Sequence, residues 1–135
     1  MATPRFGALG VRYHTDERRT FFGDIFPNRD GDINLVELHQ GVFVGWHRHQ
    51  KQDDRLFLVS GVLRLRIFET TPAVDGVEWI LTETEDRLPY FIPRNHWHGY
   101  EALTDDTVVL QFNGPAKYDG RDEERLSVEE MPWTL

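Results

Sequence analysis

The sequence predicts an all-β domain of short strands, a sandwich or small barrel, on three observations. Between Ile33 and Phe112 no stretch of about 11 residues carries the 3.6-residue periodicity of an amphipathic helix. Short runs rich in branched and aromatic residues recur instead, with polar turn clusters between them. One run, Leu63-Arg64-Leu65-Arg66-Ile67, alternates apolar and charged residues, the mark of a strand buried on one face.

In chain order, the first strand covers residues 33–38 and follows the turn Asn28-Arg29-Asp30-Gly31-Asp32. The second covers 43–49, and the third covers 56–59 before the Ser60-Gly61 turn. The alternating run at 63–67 comes next, then a turn at Asp75-Gly76. Residues 88–92 form a strand stopped by Pro93-Arg94-Asn95, and 107–112 form the last, after Thr104-Asp105-Asp106. The tail at 119–130 is acidic with few apolar positions, so it is expected as a short surface helix or irregular segment. Phe57, Phe68, Trp79, Tyr90, Phe91 and Phe112 read as core. Arg48 alternates outward from its histidine neighbours, toward the surface or a subunit interface.

Composition removes several function classes. A length of 135 residues fits one domain large enough for a core. Zero cysteine excludes a disulfide scaffold, a thiolate metal site and a cysteine nucleophile. Fifteen Lys and Arg against 23 Asp and Glu give a net charge of −8, which argues against nucleic acid as a partner. A small phosphorylated ligand held by one or two arginines stays open. No apolar run approaches the roughly 18 residues of a membrane span, and residues 1–10 lack a secretory core, so the chain is expected in the cytoplasm.

Of six histidines, His47 and His49 stand out. At i and i+2 of an extended segment, both imidazoles point to one face, which Phe43 and Gly45 would share. Buried imidazoles must be hydrogen-bonded, hold a metal or exchange protons, because an unsatisfied polar group is costly to bury.

The spacing from Gly41 through His47-Arg48-His49 and Asp54 to Gly61 resembles the first motif of the cupin superfamily, with Asp54 in place of the usual Glu. Pro93-Arg94-Asn95-His96-Trp97-His98 is similar to the second motif, with Asn95 replacing Gly. Together they cover roughly residues 41–102, and they imply a double-stranded β-helix, or jelly roll, with His47, His49 and His98 facing one cavity. A narrower resemblance extends over nearly the whole chain. Asp16-Glu17-Arg18-Arg19-Thr20-Phe21-Phe22, Gly45-Trp46-His47, Trp97-His98-Gly99-Tyr100 and the tail from Tyr118 to Trp133 are similar to segments of the dTDP-4-dehydrorhamnose 3,5-epimerase branch.

That resemblance implies proton abstraction beside a sugar ketone, with His47 as general base. His49 and His98 would polarise the keto oxygen or stabilise the enolate. Arg18 matches an arginine that binds the nucleotide-sugar, and Arg55 stands for a lysine near the keto oxygen. Trp97, Tyr100 and Gln111 complete the implied substrate-binding set. Gln111 occupies the position of the family's acidic tyrosine and cannot donate a titrating proton, which leaves Tyr118 or Tyr100 as the acid. Val44 replaces a family arginine. The Asp that orients the family's base lies in an extension beyond the position of Trp133, so none is expected here. No cofactor is required, and a homodimer is implied.

Gly45-Trp46-His47-Arg48-His49-Gln50 also resembles a segment of the sugar 3,4-ketoisomerases, which pass protons through an enediol. Two other classes stay open. A metal-dependent cupin, a dioxygenase or isomerase, would hold a divalent transition metal on His47, His49, Asp54 and His98. A non-catalytic cupin would bind a sugar without turning it over.

Overall fold

The computed structural model describes residues 12–24, 30–85, 87–115 and 121–132. Among these the elements in order are β1 (Arg12–Thr15), β2 (Arg19–Gly23), β3 (Asp32–Leu38), β4 (Phe43–His49), β5 (Asp53–Ser60) and β6 (Leu63–Phe68). A one-turn helix α1 (Pro72–Asp75) follows, then β7 (Val77–Leu81), β8 (Tyr90–Ile92), β9 (Trp97–Ala102), β10 (Thr107–Gly114) and β11 (Glu123–Arg125). They form two antiparallel sheets, ordered β1-β2-β3-β10-β5-β8 and β11-β4-β9-β6-β7. This is the all-β jelly roll that the alternation and the motifs anticipate.

The core lies between the sheets. One supplies Val36, Leu38, Leu56, Leu58 and Val109; the other supplies Val44, Leu63, Leu65, Tyr100 and Ala102. Their spacing of two along each strand turns them all to one face. A second cluster, Trp46, Phe68 and Trp97, packs on the outer face of the five-stranded sheet under Phe43, Leu126 and Met131. Because β9 is covered on both faces, five of its six residues are buried. Its sequence therefore lacks the alternation that marks β6.

The structure departs from the sequence reading in three places. The tail forms strand β11 rather than a helix: Arg125 pairs with His47 and Glu123 with His49 along the edge of β4. Backbone hydrogen bonds between Trp46 and Leu126 extend that ladder, and the Asp122 carboxylate accepts the N–H groups of Gln50 and Lys51. Phe91 is half-exposed, with the Arg55 guanidinium over its ring, and Phe57 and Phe112 are half-buried; all three lie outside both apolar clusters rather than in the core.

The third departure affects the site. Phe43 and Gly45 do not share the histidine face, because the β4–β9 register shifts between Gly45 and His47. Val44 is the inward residue before the shift, while Phe43 joins the outer aromatic cluster. Gly45 has φ +123°, and a Cβ there would lie 2.8 Å from both the Gly99 Cα and the His98 carbonyl oxygen. Only glycine lets the two backbones meet this closely.

Candidate active site

Eight strands, β1 to β5 and β9 to β11, place polar side chains around a cavity of about 280 Å3 between the sheets. His47 and His98 are cross-strand partners on β4 and β9, with ring centroids 6.1 Å apart. His49, two residues on, brings its ring within 5.6 Å of His98. Three imidazoles from two distant stretches of chain thus meet in one hollow, as the paired motifs imply.

Asp54 joins them from the opposite sheet. Its Oδ2 lies 3.3 Å from His98 Nε2 and 3.6 Å from His49 Nε2. Its Oδ1 accepts hydrogen bonds from Gln52 Nε2 (3.0 Å) and Asn113 Nδ2 (2.6 Å). Burial alone would raise the Asp54 pKa, but His98, His49 and Asn113 outweigh it and hold the carboxyl below its ordinary value. Asp54 is therefore a carboxylate at neutral pH.

His49 is pushed down by burial, with the Asp54 charge opposing the shift, and its buried Nδ1 has no hydrogen-bond partner among the described residues. His47 is lowered from 6.5 to about 3, by burial first and the His98 charge second; Glu123 opposes both. The Glu123 Oε1 stands 3.9 Å from His47 Nδ1, beyond hydrogen-bond range but close enough to act as a charge. His47 is therefore a neutral imidazole with a carboxylate behind it.

Tyr100 is buried, and its hydroxyl accepts a hydrogen bond from Gln111 Nε2 at 2.8 Å. Burial raises its pKa, with the Arg19 charge first and the Gln111 hydrogen bond second pulling the other way. Arg12, Arg19, Arg55 and Arg125 also line the cavity, a concentration of cations in a chain of net charge −8.

His47, His49, His98, Asp54, Tyr100, Gln111 and Arg55 thus line one space. Two expected residues do not. Arg18 sits in the bend before β2 and bonds Asp16, while its neighbour Arg19 reaches the cavity. Trp97 faces away, because β9 turns alternate side chains to opposite sides; it packs in the outer cluster with Arg48 over its ring. Tyr118 lies outside the described residues.

Sequence reasoning missed Glu123 and Arg19. Arg19 is one position along in the same motif, and Arg19 and Phe21 alternate toward the cavity. No signal in the sequence marks Glu123, whose placement depends on β11 pairing with β4.

The expected four-residue metal set is reduced to three. Ligand atoms of His49, Asp54 and His98 lie within 4.8 Å of one another, a donor set suited to a divalent transition metal, and the group does not include His47. Among the described residues no helix is long and apolar enough to cross a membrane.

No protein-family model matches the sequence. A probable low-salt glycan biosynthesis epimerase of Haloferax volcanii is 28% identical over 95 residues, covering 65% of this chain and 60% of that protein. The spore coat polysaccharide biosynthesis protein SpsL of Bacillus subtilis is 23% identical over 131 residues, covering 89% of this chain and 83% of that protein. Among solved structures, the capsular polysaccharide assembling protein CapF of Staphylococcus aureus superposes with a TM-score of 0.75 at 21% identity, over 90% of this chain and 35% of CapF. A dTDP sugar isomerase of Desulfovibrio desulfuricans gives a TM-score of 0.63 at 19% identity, over 93% of this chain and 87% of the isomerase. Oxalate decarboxylase of Lactobacillus farciminis follows at 0.67 and 15% identity. The chain therefore spans only part of some of these proteins. The likenesses to solved structures show the cupin fold.

Proposed function

We propose that the chain is an epimerase or isomerase acting on a nucleotide-linked 4-keto-6-deoxyhexose, with His47 removing the proton beside the ketone. The observation that carries the reading is His47 itself. It is a neutral imidazole on a cavity wall, with two further imidazoles at hand and a carboxylate behind it. A base near pKa 3 is weak at rest, and Glu123 supplies the missing help as imidazolium forms. Its attraction for His47 strengthens as the ring gains the proton, taking the part that the family gives to an Asp. His98 and His49 would face the oxygen on which the enolate charge collects. The cavity arginines suit an anionic ligand such as a nucleoside diphosphate. A second copy of the chain completes the proposal, since every residue of β1 is exposed and available for a partner to cover.

The test is exchange in heavy water with dTDP-4-keto-6-deoxyglucose. Deuterium is expected at a carbon flanking the ketone, and its absence overturns the catalytic reading. The three-residue donor set favours a second reading, a metal-dependent reaction at His49, Asp54 and His98. Exchange that requires added divalent metal and disappears in chelator would select it.

A further inference from the structure

We infer that Arg48 is a positioning residue: by clamping Glu124 on the outer face of the sheet it sets the register of β11, and that register turns Glu123 and Arg125 toward His47. The inference rests on the reading above, since it concerns the carboxylate behind the proposed base. It starts from an ambiguity in the tail. Asp122, Glu123 and Glu124 are consecutive acids, so residue type alone does not decide which carboxylate meets the histidine wall. A slip of one residue would turn Glu124 inward and carry Glu123 and Arg125 outside, because strand side chains alternate. β11 is three residues long and lies at the edge of its sheet, so its own ladder offers little resistance to such a slip.

The outer face of β4 removes the ambiguity. Arg48 is the cross-strand partner of Glu124 and grips it with two hydrogen bonds, Nε to Oε1 at 3.2 Å and Nη2 to Oε2 at 2.8 Å. That fork fits a carboxylate in one orientation. Gln50 Nε2 donates a third bond to Oε1 at 3.1 Å. Arg48 is itself held, with its guanidinium 4.5 Å from the centroid of the Trp97 ring. Trp97 belongs to the buried outer cluster, so the clamp ties the tail to a fixed part of the fold.

The inner face shows the consequence. Trp46 and Leu126 exchange both backbone hydrogen bonds, which makes His47–Arg125 and His49–Glu123 the non-hydrogen-bonded pairs of the ladder. Side chains approach most closely in such pairs, and Glu123 and Arg125 both line the cavity. Arg125 donates to Glu123 Oε2 through Nε at 2.9 Å and Nη2 at 2.6 Å, while Oε1 is the oxygen 3.9 Å from His47 Nδ1. Arg48 does not line the cavity, so it acts through the backbone of β11 alone. A partly exposed ion pair adds little to stability, and the effect of this one is expected in register and rate rather than in the melting temperature.

The test is a charge swap. Arg48→Glu and Glu124→Arg each set like charges opposite one another, and the variant carrying both restores an opposite pair. Deuterium exchange into dTDP-4-keto-6-deoxyglucose gives the rate. The Overhauser contact between the α-protons of His47 and Arg125 reports the register. Each single variant is expected to lose the contact and about 10- to 100-fold in rate, the cost of misplacing a catalytic constellation by an ångström or so. The double variant is expected to regain the contact and to exchange within about threefold of wild type. Arg48→Gln removes the fork without adding repulsion and is expected to show the same losses in smaller degree, which keeps the test valid if a reversed charge melts the fold. Single variants that exchange at the wild-type rate overturn the assignment. So does a rate lost while the contact persists, or one that the double variant fails to restore, since Arg48 would then act by another route. If wild-type protein exchanges no proton at all, the function proposed above fails and the positioning role in catalysis falls with it, while the contact decides separately whether Arg48 sets the register.

Discussion

The same strands build two unlike halves of the barrel. At the sealed end, β3 supplies Val36 and Leu38, β4 Val44, β5 Leu58, β9 Ala102 and β10 Val109. At the open end they supply Asn34, His47 and His49, Asp54, His98, and Gln111 with Asn113. Apart from the register shift that separates Val44 from His47 on β4, both halves use inward positions at a spacing of two. The difference lies in how the side chains are satisfied. Those at the sealed end complete one another by packing. Those at the open end rely on polar contacts instead: Asp54 has partners from both sheets, while among the described residues the His49 Nδ1 has none.

The largest expected break in this comparison is His47→Gln. The amide fits the same wall but cannot take a proton, so exchange beside the ketone should fall about 100- to 10,000-fold, the range for losing a general base. Thermal stability should change little, because His47 is not part of the apolar core. Exchange followed by NMR, with a melting curve on the same sample, separates the two effects. A variant that still exchanges at the wild-type rate would remove His47 from the mechanism.

The opposite result is expected at the sealed end. Leu65 is fully buried and belongs to neither the cavity lining nor the outer cluster. Leu65→Ala should cost about 2–5 kcal/mol, the transfer term plus the void it leaves, and urea unfolding measures that loss. Exchange per folded molecule should match wild type at a temperature below the lowered transition. Loss of exchange without loss of stability would mean that the halves are coupled more tightly than their packing suggests.

How far the sequence reveals the two halves follows from the same contrast. The sealed half is legible, because apolar alternation in β6 and the branched runs of β3, β5 and β10 report burial directly. His47, His49, Asp54 and His98 are legible because a local spacing fixes each of them. What depends on pairing between distant segments is not. Glu123 reaches the site only through the β11–β4 ladder, and Trp97 leaves it because β9 has two buried faces. The register shift after Gly45 reverses the expected partners of the histidine face, and a period-two pattern carries no sign of it.

The smallest expected effect is a change of stability with pH that originates at the open end alone. Burial lowers His47 to about 3 from 6.5, so between those values the unfolded chain binds a proton that the folded chain refuses. Stability therefore rises with pH across that window. Above about pH 6.5 His47 adds no penalty, and below it the folded state should lose about 1.4 kcal/mol per pH unit from this residue. His49 is shifted in the same direction and adds to the slope. Asp54, held below its ordinary 3.8, contributes with the same sign only in more acidic solution. Urea unfolding at pH 7.5 and pH 5.5 should show the loss, and His47→Gln should make the difference smaller while leaving the urea dependence unchanged. An equal pH slope in the variant would show that His47 is hydrated enough to take its proton in the folded protein, and the contrast between a dry histidine wall and solvent would be lost.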